Sequence, residues 1–121
     1  MSKMHCELIE HPDYLEFVVT GQPSEQDWID LMQRLAKTIS ARGIGRALGD
    51  ISGIEAPVEM MVRYRIGVRT GEIFGAGVRI AVLGRDEPPN NFWETVATNR
   101  GAVVKSGYDR DELLAWLLEG K

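Results

Sequence analysis

Residues 44–57, Ile-Gly-Arg-Ala-Leu-Gly-Asp-Ile-Ser-Gly-Ile-Glu-Ala-Pro, constrain the fold of this chain more than any other stretch. Ala47, Leu48 and Gly49 follow one another without polar alternation. A strand there, expected over residues 46–51, must be covered on both faces, as central strands of α/β sheets are. Ser52 and Gly53 are turn residues that end it. Pro57 fits the first turn of a following helix, where its missing N–H is not needed.

The flanking elements alternate in kind. Residues 4–11 and 14–20 read as strands, with Leu15, Phe17, Val18 and Val19 in the second and Pro12-Asp13 as the turn between them. So short a connection makes an antiparallel hairpin. Ser24 opens a helix with Trp28, Leu31, Met32, Leu35 and Ile39 on one face, and Arg42-Gly43 ends it. After the central strand, a helix from Pro57 to about Gly71 turns Val58, Met61, Val62, Ile66 and Val68 inward, and Gly67 weakens it locally. A strand over 78–83, a polar loop over 84–91, a helix over 91–100, a strand over 102–106 and a last helix capped by Asp109 complete the chain. The order β-β-α-β-α-β-α-β-α predicts a mixed, largely parallel five-stranded sheet flanked by helices, in a single domain spanning residues 1–121. Ligand sites in such sheets lie outside the carboxyl ends of the strands, here residues 50–56, 84–91 and 106–109.

A length of 121 residues suits one hydrophobic core. The formal net charge of -4 argues against general nucleic-acid binding. No segment reaches the ~18 apolar residues of a membrane span. Cys6 is the single cysteine, so no intramolecular disulfide can form. The first residues, Met-Ser-Lys-Met-His-Cys, lack the apolar run of a signal peptide, so a reducing, cytoplasmic setting is expected. The charge is uneven: residues 57–85 carry five arginines against Glu59 and Glu72. Arg65 and Arg69 are four apart and share a helix face, with Arg63 to one side. Such a face can hold an anionic ligand or simply be solvated.

Asp50, at the end of a buried strand, can orient a ligand or accept bonds from Ser52, Gly53 or a neighbouring loop. Ser52 is a hydroxyl contact, a modification site or a turn serine. His5 and Cys6 are adjacent on a strand and face opposite sides, while His5 and His11 stand some 20 Å apart along it, so no metal site is expected. Cys6 has no recognisable histidine partner motif. Gly75-Ala76-Gly77 precedes a strand and lacks a third glycine, so it is no dinucleotide fingerprint. No cofactor is expected and the chain does not read as an enzyme. Phe74, Phe92 and Trp93 can line an apolar crevice near the strand ends. Arg100 before Gly101 suits a helix end or a ligand contact.

Leu48-Gly49-Asp50-Ile51-Ser52-Gly53-Ile54 resembles the strand-loop signature of the STAS domain superfamily, the sulphate-transporter and anti-sigma-factor-antagonist domains. The closer resemblance is to the SpoIIAA-like branch, over nearly the full length. It is carried by residues 50–57, by Arg79-Ile-Ala-Val-Leu83, by Phe92-Trp-Glu-Thr-Val-Ala-Thr-Asn-Arg-Gly101 and by Asp111-Glu-Leu-Leu-Ala-Trp-Leu117. The resemblance implies a STAS-like α/β fold. In anti-sigma-factor antagonists a serine at the next helix start is phosphorylated by a partner kinase. Here that region is Glu55-Ala56-Pro57-Val58, without a hydroxyl, so the phosphoswitch does not carry over. The branch is sometimes grouped with lipid-transfer domains, so the resemblance permits an apolar ligand. The expectation is a non-enzymatic regulatory module that binds a protein partner or small ligand through Asp50, Ser52, Gly53, Pro57, Arg65, Arg69, Phe92 and Arg100. The alternative is a carrier or sensor of a small apolar or anionic molecule. Helix 91–100 also offers a homodimer contact, because Phe92 and Trp93 are adjacent and one can face outward.

Overall fold

The structure, a computed structural model, describes residues 4–84 and 92–120. β1 (His5–Glu10) and β2 (Leu15–Gly21) form the expected antiparallel hairpin, with Cys6 opposite Val19 and Leu8 opposite Phe17. There follow α1 (Glu25–Arg42), β3 (Arg46–Ile54), α2 (Met60–Phe74), a 3-10 turn at Gly75–Gly77, β4 (Arg79–Leu83), α3 (Phe92–Asn99), β5 (Val103–Gly107) and α4 (Arg110–Leu117). The strands lie in the sheet in chain order, and β2 to β5 are parallel. The mixed, largely parallel five-stranded sheet is therefore as expected.

β3 divides two apolar layers. Ala47 faces the layer of α1, α2 and α3, Leu48 faces α4, and both have 0% exposure. This two-sided burial is what the unbroken apolar run required. On the first face Leu15, Phe17, Val19 and Ile80 meet Trp28, Leu31, Leu35 and Ile39 of α1 and Ile66 and Phe74 of α2. On the second, Leu113 and Leu117 of α4 dock on Leu48, Ala81 and Leu83. Ser24 caps α1 in a reciprocal box with Asp27, its hydroxyl accepting the Asp27 N–H at 3.1 Å. Gly43, at φ 69°, closes that helix in the left-handed conformation glycine favours.

The centre of the chain departs from expectation in three ways. β3 does not stop at Ser52-Gly53. β2 shifts register between Val18 and Thr20, then pairs Thr20 with Gly53 and Gly21 with Ile54, and this carries β3 three residues further. The following turn moves along with it, so α2 starts at Met60 and Pro57 lies outside the helix, exposed in the connection. Met61 is then 54% exposed and no core residue, whereas Val58 and Val62 do pack on the core. Finally, α2 runs through Gly71 to Phe74. A β-carbon at Gly67 would stand 2.8 Å from the Val96 side chain, and one at Gly71 would stand 2.7 Å from the Arg100 carbonyl oxygen. These glycines let α2 and α3 approach closely and do not mark a helix end.

The loop expected over 84–91 lies, apart from Gly84, outside the described residues, as does Asn91 at the expected start of α3. Among the described residues no helix is long and apolar enough to cross a membrane.

Candidate functional site

Phe17 of β2 and Gly49 of β3 are register partners, and the Phe17 ring occupies the place a Gly49 side chain would take. The sheet floor beneath α1 and α2 is therefore one large ring laid on bare backbone. Over it lies a cavity of about 400 Å³. Trp28, Leu31, Met32 and Leu35 of α1 form one wall, Ile66, Thr70 and Phe74 of α2 another, and Trp93 of α3 a third. The cavity reaches the carboxyl ends of the strands at Ile51, Ile54, Gly84 and Gly107, with Pro57, Val58 and Tyr108 beside them. A site outside the strand ends is what the parallel sheet predicts.

The polar groups inside are mostly used within the protein. The fully buried Thr70 hydroxyl donates to the Ile66 carbonyl at 2.7 Å and accepts the Trp93 Nε1–H at 3.2 Å. Glu94 accepts the Ser106 N–H at 2.6 Å. What remains, among the described residues, is a largely apolar chamber with one cation on its lining, Arg63. A second concavity of about 600 Å³ opens at the amino-terminal ends of β3 and β4. It is lined largely by polar and glycine residues, and its two arginines are already bonded: Arg46 to the Leu117 and Glu119 carbonyls, Arg79 to the Trp116 carbonyl at 2.8 Å.

The residues singled out from the sequence fall into separate groups. Asp50 and Ser52 lie on the α4 side of the sheet. The Asp50 carboxylate accepts the Ser52 N–H at 3.0 Å and the Ser52 hydroxyl at 2.6 Å, and stands 3.9 Å from Arg110. Gly53 is exposed in β3, where a β-carbon would meet the Thr20 methyl at 2.9 Å. Arg65 is bound by both oxygens of Glu25 at 2.7–3.0 Å and ties α2 to α1; that bond holds the Glu25 carboxyl below its ordinary range. Arg69 meets Glu72 at 3.4 Å. Phe92 stacks on Tyr64 at 6.4 Å between ring centres, and Arg100, just past α3, donates to the Tyr64 hydroxyl at 3.4 Å. Of the eight, only Pro57 lines the cavity, while Phe74 and Trp93 of the expected apolar crevice do so as well.

Beneath α4 sits a second polar cluster. Glu16 has 5% exposure, accepts from His11 Nε2 at 2.8 Å and from Arg110 at 2.7 Å. Burial alone would raise its pKa, but the Arg110 and His11 bonds outweigh it and hold the carboxyl below the ordinary range. Burial pushes the Cys6 thiol up, against the pull of Arg34, which does not suit a nucleophile. Among the described residues no group of three or more His, Cys, Asp or Glu is placed to hold a metal ion.

Sequence reasoning placed Phe17 in a strand and Trp28 on a core face, and Arg63 beside the basic face of Arg65 and Arg69, and assigned none of the three to a cavity; Ile51 lies in the expected 50–56 segment. A signal for Arg63 was present: Arg63, Ile66, Thr70 and Phe74 follow the 3-4 spacing of one helix face, so a cation heads an otherwise inward stripe.

No family model matches the chain, and no curated protein matches it. Among solved structures, it is similar to an uncharacterised protein of the DUF3478 family with a SpoIIAA-like fold from Shewanella loihica PV-4. The identity is 22%, the match covers 97% of this chain and 98% of the other, and the TM-score is 0.54. That likeness shows the fold, which is SpoIIAA-like.

Proposed function

We propose that this chain is a non-enzymatic module that carries or senses a small apolar molecule in the cavity between the sheet and α1, α2 and α3. The observation that carries this reading is the chamber of about 400 Å³ lined by Phe17, Trp28, Leu31, Ile66 and Trp93. Its size falls in the range of small-molecule sites, roughly 300–1,000 Å³, and its lining is the usual mixture of apolar walls with few polar groups. An apolar concavity of this size, open at the carboxyl ends of the strands, is where a ligand site is expected in such a sheet.

Native mass spectrometry of the protein isolated from its own cells tests the reading. A retained small molecule, released on unfolding and extractable into organic solvent, is the expected result. A bare chain that also takes up no apolar compound on incubation contradicts it.

A second reading, docking of a protein partner at the start of α2, is favoured by one observation. Met60 and Met61 are 58% and 54% exposed beside the Pro57–Val58 rim. Exposed methionines suit adaptable binding surfaces. Specific co-purification of one protein, lost on Met60→Ser with Met61→Ser, supports this reading.

A further inference from the structure

We propose that the guest of this cavity is an amphiphile with a single anionic head group, and that Arg63 binds the head. The inference rests on the reading of the cavity as a ligand site and adds the chemistry of the ligand.

Arg63 differs from the other described arginines of residues 57–85 and from Arg100. Arg65 is bound by Glu25, Arg69 by Glu72, Arg79 by the Trp116 carbonyl and ring, and Arg100 by the Tyr64 hydroxyl. Arg63 is half-buried on the cavity lining, and its guanidinium makes no hydrogen bond or ion pair with any described residue. Glu59, one turn earlier on the same helix side, forms no ion pair with it either. A guanidinium carries five N–H donors and always stays charged.

The remaining described lining limits the rest of the ligand. Thr70 and Trp93 satisfy each other, and Glu94 takes the Ser106 amide and hydroxyl, which leaves the Tyr108 hydroxyl at the rim as the other polar side-chain group. A guest with polar groups along its tail would bury donors or acceptors against apolar walls, at the full desolvation cost. A guest with one anionic head pairs that head with Arg63 through charge-assisted bonds and leaves an apolar tail against Phe17, Trp28 and Leu31. Carboxylate and phosphate heads share this chemistry, and a bidentate fork accepts either.

Isothermal titration of the full chain with decanoate, decyl phosphate and decanol tests this. At least one of the two anions should bind about tenfold tighter than decanol, a difference of about 1.4 kcal/mol, and the tighter anion identifies the head. In Arg63→Met the anion preference should disappear while decanol binds as before. Arg63→Lys should keep part of the preference, which separates loss of charge from loss of structure. Equal binding of anions and alcohol to the wild type, or a preference that survives Arg63→Met, overturns the assignment of Arg63 and leaves the cavity as an apolar site. No binding of any of the three overturns the ligand-site reading itself.

Discussion

Phe17 and Gly49 face each other across two parallel strands, and the Phe17 ring fills the space that a β-carbon at Gly49 would need. A side chain at position 49 must drive that ring up toward α1 and α2, into the cavity. Gly49→Ala should therefore destabilise the fold by about 1–3 kcal/mol, the usual cost of overpacking a core. Urea unfolding followed by circular dichroism measures this. A midpoint equal to the wild type contradicts the contact.

Gly71 gives a prediction in which two effects oppose each other. Helix propensity alone favours Gly71→Ala by about 1 kcal/mol. The new methyl would stand 2.7 Å from the Arg100 carbonyl oxygen, and backbone cannot swing aside as a flexible side chain can. The close approach should win, so Gly71→Ala lowers the thermal midpoint. Gly77→Ala, where a β-carbon meets nothing within 4 Å, should change stability by no more than about 0.5 kcal/mol. A stabilised Gly71→Ala variant would show that α2 and α3 do not touch there.

Glu16 makes stability depend on acid pH. Its carboxyl is held below the ordinary range in the folded protein, because the Arg110 and His11 bonds outweigh burial. Its contribution is thus complete above the unfolded value, about 4.3, and is lost as pH falls through the lower folded value. Glu16→Gln should cost about 1–3 kcal/mol near neutral pH, and its stability should fall less steeply than the wild type below pH ~4. Parallel acid limbs in the two proteins would contradict this assignment.

The sheet was legible because its evidence is local and periodic. Ala47-Leu48 demanded burial on both faces, Pro12-Asp13 gave the hairpin, and Ser24, Gly43 and Asp109 marked helix ends that the structure keeps. The length of β3 was not legible, because it depends on a register shift in β2 that leaves no mark at Ser52-Gly53. Gly67 read as a weak point in a helix and Gly71 as its end, since nothing in α2 tells which helix will press against them. The candidate residues were chosen by their place along the chain, and the period-two alternation of β3 then sent Asp50 to the face opposite the cavity. A cavity is a property of three helices and a sheet together. Phe74, Trp93 and Pro57 on its lining were named individually, Ile51, Ile54, Gly84 and Tyr108 fell within the strand-end segments expected to hold a site, and Arg63 was assigned to a basic helix face and not to the cavity.

Filling the cavity should separate stability from binding. Ile51 lines the chamber and is half-buried, so Ile51→Phe has room for its ring. Stability should stay level or rise by about 0.5–2 kcal/mol, as cavity-filling changes commonly give, while uptake of decanol falls at least tenfold. Loss of stability together with unchanged uptake would place the guest elsewhere.

The most direct test of the cavity as a binding site uses the tryptophans as internal reporters. Trp28 and Trp93 line the chamber, whereas Trp116 lies on α4 beneath Arg79, 4.2 Å from its guanidinium. Bromodecane, a neutral guest with a quenching bromine, should quench the wild-type fluorescence saturably. The Trp28→Phe, Trp93→Phe double variant, which reports Trp116 alone, should show no saturable quenching. Equal quenching of both proteins, rising linearly without saturation, would contradict the claim that this cavity binds an apolar guest.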